Sequence, residues 1–301
     1  MPKGITSLVG FIRKMEDLRR DRSGVLLFRG HSSNEYVATP SVFRNKSHAE
    51  FERDMLFDLI SESPKEFERD THAFDRLVRA QHYGVPTRLL DLTSNPLMAL
   101  YFCCEKNLED RGQVIVYEVQ RRELKFFSSD AVSSKANLAL LTEAERVQLN
   151  KDISLSIRRV FGPRSKSSSL TERRINDPKK YNEFLEDWNA RATPKRLVQF
   201  IKEEKPYFEN RIDPVDILSI QAVTPKKSNA RIIAQSGAFL MFGLRENLSA
   251  RTAKDIETSV IDIPAGNKRD LLESLAAIGV QENTVYPELD RLASRIKRKF
   301  E

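Results

Sequence analysis

An arginine that directly follows an apolar run is the first residue here to demand a chemical explanation. In "GVLLFRGH", Leu26, Leu27 and Phe28 read as a buried strand, with Arg29 and Gly30 at its end. A buried or half-buried guanidinium needs a carboxylate or a phosphate as its partner. A glycine beside it lets a ligand or another backbone come close. Further polar residues collect at the ends of apolar runs. Thr87 and Arg88 open "TRLLDLT", Asp91, Thr93 and Ser94 lie towards its far end, and Gln81 and His82 come just before it. Gln235 and Gly237 interrupt the late run "ARIIAQSGAFLMF". This density at strand ends suggests a polar pocket where three strands meet.

Each residue also has a structural reading. Arg29 can pair with Asp91, and Arg88 with a surface carboxylate. His82 can satisfy a carbonyl at a helix end, Thr93 and Ser94 can cap the next helix, and Gln235 can sit in an exposed turn before Ser-Gly. Phe28, Phe102 and Phe239 read as core. Other chemistries lack their motifs: there is no GxGxxG after a strand, no P-loop and no nucleophile elbow. His31, His48, His72 and His82 are scattered. The adjacent Cys103 and Cys104 lie in an apolar pattern without CxxC or HxxxH spacing. They read as buried thiols of a reducing compartment, and no metal is expected.

The elements that must position these residues follow from periodicity. Leu8, Phe11, Ile12, Met15 and Leu18 predict a first helix. "SHAEFERDMLFDLISES" predicts a second, with Phe51, Met55, Leu59 and Ile60 on one side, and "HAFDRLVRAQHYG" a third that Gly84 ends. "TRLLDLT" reads as a strand, after which Ser94 or Asn95 caps a helix with Pro96 in its first turn. "GQVIVYEVQ" reads as a central strand. Residues 131–211 read as a helical, polar insertion, with "GPRSKSSSLTERR" (162–174) as a mobile basic loop. Strands return at "VDILSIQAV" and "ARIIAQSGAFLMFG", and helices at "KRDLLESLAAIG" and "PELDRLASRIKRKF". The order implies an α+β fold, a mixed central sheet with flanking helices.

Composition bounds the rest. The chain has 301 residues, 40% of them hydrophobic, enough for a large core. Its net charge of +7 favours acidic partners, nucleic acid first among them. Arg158, Arg159, Arg164, Lys166, Arg173 and Arg174 would supply a basic face, although aromatics for base stacking are sparse there. No apolar run reaches membrane-spanning length, and the N-terminal residues lack a signal-peptide core. The expectation is a soluble cytoplasmic protein with no membrane partner.

The stretches "LLFRGH", "RAQHYGVPTRLLDLTSNPLMALYF", "ARIIAQSGAFLMF" and "YPELDRL" resemble the FRG-domain family, named for its Phe-Arg-Gly motif. Their order and spacing match over nearly the whole chain, which implies a single FRG domain over 1–301. The layout also resembles the arginine-serine-glutamate class of ADP-ribosyltransferases. That resemblance implies such a core with helical additions, and NAD as the substrate cofactor. In it Arg29, with Gly30 beside it, meets the NAD phosphates, Thr93 and Ser94 shape the nicotinamide side, and Ala99 and Phe102 fall in the following helix. Gln235 contacts the reacting ribose, while His82, Arg88 and Asp91 form or support the pocket. Where that class carries a glutamate on a late strand, this sequence has Arg231 and Gln235. A glutamine amide can bind a ribose hydroxyl but cannot act as a general base. The family implies a bacterial toxin or antiphage effector, with RNA or DNA as acceptor and an antitoxin or chaperone as partner. The rival readings are a non-catalytic nucleic-acid-binding module and an NAD glycohydrolase.

Overall fold

Seven short runs rich in Val, Ile, Leu and Phe pair into one sheet. They are β1 (Val25–His31), β2 (Leu89–Thr93), β3 (Gly112–Val119), β4 (Leu124–Phe126), β5 (Ile220–Thr224), β6 (Gly237–Phe242) and β7 (Ile256–Ile263). The computed structural model describes residues 4–244 and 256–288, with 293, 296, 297 and 300. The strand order is β4-β5-β6-β2-β1-β3-β7. Only β4–β5 is parallel, so the sheet is mixed and the fold is α+β.

The ladder is uneven. β1 and β3 pair through seven Cα partners, from Val25↔Val119 to His31↔Gln113. β1 and β2 share a single one, Phe28↔Thr93. The sheet therefore opens between β2 and β1, with four strands on one side of the opening and three on the other.

Helices cover one face. In chain order they are α1 (Leu8–Asp21), α2 (Lys46–Glu50), α3 (Glu52–Glu62), α4 (Pro64–Phe67), α5 (Ala73–His82) and α6 (Pro96–Cys104). Then come α7 (Asp130–Ala136), α8 (Glu143–Phe161), α9 (Leu170–Asn176), α10 (Pro178–Asn189) and α11 (Ala192–Glu204). α12 (Pro214–Leu218), α13 (Ala230–Ala234), α14 (Lys268–Ala277) and α15 (Glu282–Val285) follow.

Over β5, β6 and β2 this face packs Phe74, Leu77, Trp188 and Ile201 against Leu89, Phe239 and Met241. The segment from α7 to α11 thus shares one core with the sheet. Over β1, β3 and β7 it packs Phe11, Ala99, Leu100 and Leu271 against Phe28, Val114 and Val116. Because side chains alternate along a strand, Leu27, Leu90, Leu92, Ile115, Tyr117 and Leu240 lie on the opposite face. Among the described residues that face carries no helical layer of its own; Ala38 and Phe43 of the segment after β1 pack on it.

Several elements depart from the periodic reading. The second helix breaks at Phe51 into α2 and α3, and Phe51 is exposed while Leu56 is buried. β1 does not end at Arg29 and Gly30 but continues to His31. "VDIL" forms α12 before β5, because Asp213 caps it and Pro214 occupies its first turn. "ARIIA" forms α13 before β6, capped by the Asn229 side chain on the Ile232 N–H. Only the start of the basic loop is irregular, since buried Leu170 anchors "LTERR" as α9. β4 and β7 were not anticipated, and β7 makes β3 an interior strand paired on both sides. The helix expected over "PELDRLASRIKRKF" falls largely outside the described residues.

Candidate functional site

Arg29 points to the face opposite the helices, beside the gap between β1 and β2. Its Nη1 donates to the Asp91 backbone carbonyl at 2.7 Å, and its Nε donates to His31 Nε2 at 2.9 Å. Nε is an obligate donor, so His31 Nε2 carries the lone pair. Burial, with the Arg29 charge adding to it, pulls the His31 pKa down to about 4, and the imidazole is neutral at pH 7. No carboxylate among the described residues lies within ion-pair distance of Arg29. The Asp91 side chain is exposed and acts on Arg29 only through space. Burial lowers the Arg29 pKa, and a second cation, Arg44, pushes the same way. Tyr117, coupled to Arg29 on the same face, has a sealed hydroxyl without a hydrogen-bond partner, and burial raises its pKa to about 12. His31 is spent between Arg29 and the Gln113 amide, 3.3 Å from its Nδ1, so the two cations and the unused hydroxyl form the local surplus of donors that an anion would fill.

Arg88 is different. It is 1% exposed, and its Nε and Nη2 grip both oxygens of Glu52, itself 2% exposed. Nη1 takes the Phe242 and Gly243 carbonyls at 3.3 and 2.9 Å. With four of its five N–H groups spent inside the protein and its charge met by Glu52, Arg88 is a buried structural pair tying α3 to β2 and the end of β6. Thr87 and Gln81 are likewise used internally, the Thr87 hydroxyl donating to Gln81 Oε1.

Gly30 does not clear a path for a ligand at Arg29. It faces the helices, and a Cβ there would stand 1.9 Å from the Ala99 carbonyl and 2.6 Å from the Cys103 nitrogen. The glycine lets α6 lie directly on β1.

Thr93, Ser94 and Gln235 do come together, as a stitch between β2 and the turn before β6. Thr93 Oγ1 donates to the Gln235 carbonyl at 2.6 Å and accepts from the Asn95 N–H at 2.9 Å. The Ser94 N–H and hydroxyl both reach the Ser236 carbonyl, at 2.9 and 3.3 Å. Asn95, and not Ser94, caps α6. The Gln235 amide is turned away from Arg29 and donates to the Val285 carbonyl at 3.1 Å. His82 ends α5 on the helical side of the sheet, with Nδ1 4.0 Å from Glu288 Oε1. Burial, then Arg231, lowers its pKa. The expected pocket therefore divides across β2, with Arg29 on one face and His82 and Gln235 towards the other.

Four partners escaped the sequence reading: His31, Tyr117, Glu52 and Glu288. The alternation of β1 and β3 carried a signal for the first two, since odd positions of both strands share a face with Arg29. Nothing local signals Glu52 or Glu288, which lie 36 residues before Arg88 and over 200 after His82.

Among the described residues no group of His, Cys, Asp and Glu is placed to hold a metal ion, and Cys103 and Cys104 are free and buried. No helix among them is long and apolar enough to cross a membrane. The basic face is partly self-neutralised, with Arg159 on Asp187 at 2.8 Å, Arg174 on Asp213 at 3.3 Å and Arg173 stacked over Phe161. A polar cavity of about 840 Å³ within the helical layer is lined by His72, Ser134, Tyr181, Lys205 and Asp216 among others, but by none of the pocket residues above.

No curated protein and no solved structure matches the chain. The segment from Gly24 to Gly112, which holds β1 with Arg29 and His31, Arg44, "QHYGVPTRLLDLTS" and α6 but not Tyr117, matches the family model described as FRG domain, and the chain carries an FRG domain there.

Proposed function

We propose that this protein is an NAD-dependent ADP-ribosyltransferase effector, in which Arg29 anchors the NAD pyrophosphate. One observation carries the reading: Arg29 is a desolvated cation with no carboxylate partner, beside Arg44, neutral His31 and the unpaired Tyr117 hydroxyl. A buried arginine with an acid partner, as Arg88 has, is already neutralised. Arg29 is neutralised only when an anion arrives, and its fork matches two phosphate oxygens. The gap between β2 and β1 gives such a ligand its approach.

In the reaction the bond between C1′ of the ribose and nicotinamide breaks. Nicotinamide leaves with the bonding pair as a neutral ring. A hydroxyl or amine of the acceptor forms the new bond at C1′ and releases its proton. An acceptor with high negative charge, such as RNA or DNA, suits the net charge of +7.

The test is incubation with adenylate-labelled NAD and cellular RNA, DNA and protein. Label transfer by the wild type, lost in Arg29→Met, supports the reading. No transfer and no nicotinamide release with any acceptor overturns it.

A further inference from the structure

A second set of unused polar atoms lies on the helical side of β2, where three separate stretches meet. α5 ends at His82 with a tight left-handed cap: Gly84 has φ +87°, Val85 N–H returns to the Ala80 carbonyl and Gly84 N–H to that of Gln81. This cap fixes the backbone where the chain leaves His82. The Gln235 amide, bonded to the Val285 carbonyl, holds the end of α15 against α13. The Arg231 guanidinium lies over the Tyr286 ring, 5.5 Å from its centre. Glu288, three residues beyond Val285, is thereby brought beside His82. Its Oε1 is 4.0 Å from His82 Nδ1 and 3.8 Å from Arg231 Nη1.

The burial of individual atoms gives the cluster its meaning. Both Glu288 carboxylate oxygens and His82 Nδ1 are sealed from solvent and make no hydrogen bond. His82 Nε2 is not among the sealed atoms, and the side chain is 25% exposed. The ring thus turns one nitrogen to a buried carboxylate and presents the other outward. A purely structural histidine would spend Nδ1 on a carbonyl or carboxylate at full hydrogen-bond distance. Here the contact stands about one ångström too long, as catalytic hydrogen bonds commonly do before a substrate is bound.

We infer that His82 is a general base positioned by Glu288, and that it takes the proton from the acceptor group in the transfer reaction. The catalytic role rests on the transferase reading above; the arrangement of the two side chains does not. As the acceptor oxygen or nitrogen bonds to C1′, its proton passes to His82 Nε2 and nicotinamide departs with the electron pair of the broken bond. The imidazolium that forms is stabilised through Nδ1–H by the Glu288 carboxylate. Gln235, which has no basic atom, then serves to hold the Glu288 segment. The phosphate site lies across β2 from His82, so the step requires the ribose to reach through the gap between β2 and β1 until C1′ and the acceptor atom stand beside His82 Nε2.

The first experiment needs no NAD. In the full chain with ¹⁵N-labelled histidine, His82 at pH 7 should carry its proton on Nδ1 and leave Nε2 bare. Glu288→Ala should shift the proton towards Nε2 while the thermal melt stays cooperative. A wild-type His82 protonated on Nε2, or a tautomer that ignores Glu288→Ala, overturns the inference. The second experiment is single-turnover transfer from NAD. His82→Ala and Glu288→Gln should slow transfer about 100-fold at unchanged NAD affinity, and added imidazole should restore His82→Ala. The acid limb of the wild-type pH profile should vanish in His82→Ala. The charges that shape that limb are Glu288, Arg231 on α13, Arg79 on α5 and Glu66 on α4. Transfer at the wild-type rate by His82→Ala overturns the inference. A wild type with the Nδ1–H tautomer and no transfer keeps the positioned base and removes the transferase reading.

Discussion

Replacing Arg29 and Arg88 by methionine, one at a time, tests the anion site, because the half-buried Arg29 and the buried Arg88 should respond differently. Arg88→Met leaves Glu52 as a carboxylate that is 2% exposed, with only Arg146 Nη1 at 3.7 Å to face it. Breaking a buried pair from one side costs about 3–5 kcal/mol. Arg29→Met removes two charge-assisted bonds, to His31 and to the Asp91 carbonyl, worth about 1.5–3 kcal/mol each. It also removes a half-buried, unpaired ion, whose partial desolvation acts in the opposite sense. The two terms oppose each other, and the net loss should be about 1–2 kcal/mol, below that of Arg88→Met. Urea midpoints read from buried Trp188, the single tryptophan, measure both variants in the full chain. Pyrophosphate at 100 times its dissociation constant should then add about 2.7 kcal/mol to the wild type and nothing to Arg29→Met. If Arg29→Met costs as much as Arg88→Met and pyrophosphate stabilises neither protein, Arg29 is a strut and the phosphate site does not exist.

Other expectations follow from the same neighbourhood. His31 has its folded pKa lowered to about 4 against 6.5 in the unfolded chain, so the unfolded state binds more protons between these values. Stability should be full above pH 6.5 and fall by about 3 kcal/mol as pH drops to 4, and His31→Gln should flatten that slope in urea melts at graded pH. Gly30→Ala should destabilise by about 1–3 kcal/mol or more through the collision with α6, a loss that pyrophosphate affinity per folded molecule does not share. Tyr117→Phe removes a sealed hydroxyl without a partner and should raise stability by about 1 kcal/mol, yet weaken pyrophosphate several-fold in calorimetry.

The strands that carry the site were legible in sequence because alternation and apolar runs have a period that burial enforces. β1, β2 and β3 appear within a few residues of their expected places. Short apolar runs such as "VDIL" and "ARIIA" were not separable from strands by periodicity, since five residues span little more than one helical turn; their caps, Asp213 and Asn229, decided the matter. The roles of the two arginines were not legible at all. Arg29 and Arg88 each touch an apolar run, and what divides them is whether an acid from a distant helix arrives. Glu52 arrives at Arg88 from α3. The Asp91 carboxylate, only two residues past Leu89, turns outward and leaves Arg29 its backbone carbonyl alone.

The Phe-Arg-Gly triplet gains a physical reason from the alternation of β1. Phe28 and Gly30 face the helices, where Phe28 is 4% exposed in the core under α6. Gly30 gives the Ala99–Cys103 backbone room to sit on the strand. These two residues fix the height of α6 above β1, and any side chain larger than hydrogen at position 30 would lift it. Only the middle residue faces the other way, onto the side where Leu27, Leu90 and Tyr117 lie, at the gap where β1 leaves β2. There the strand offers one position from which a long side chain reaches both the open backbone carbonyl of β2 and the space beyond it. A lysine would lack the planar fork that spans His31 and Asp91 while leaving Nη2 for a ligand, so arginine is the residue that fits both demands. On this view the flanking phenylalanine and glycine hold the scaffold rigid so that the guanidinium between them is presented at a fixed point, poised for the anion it lacks.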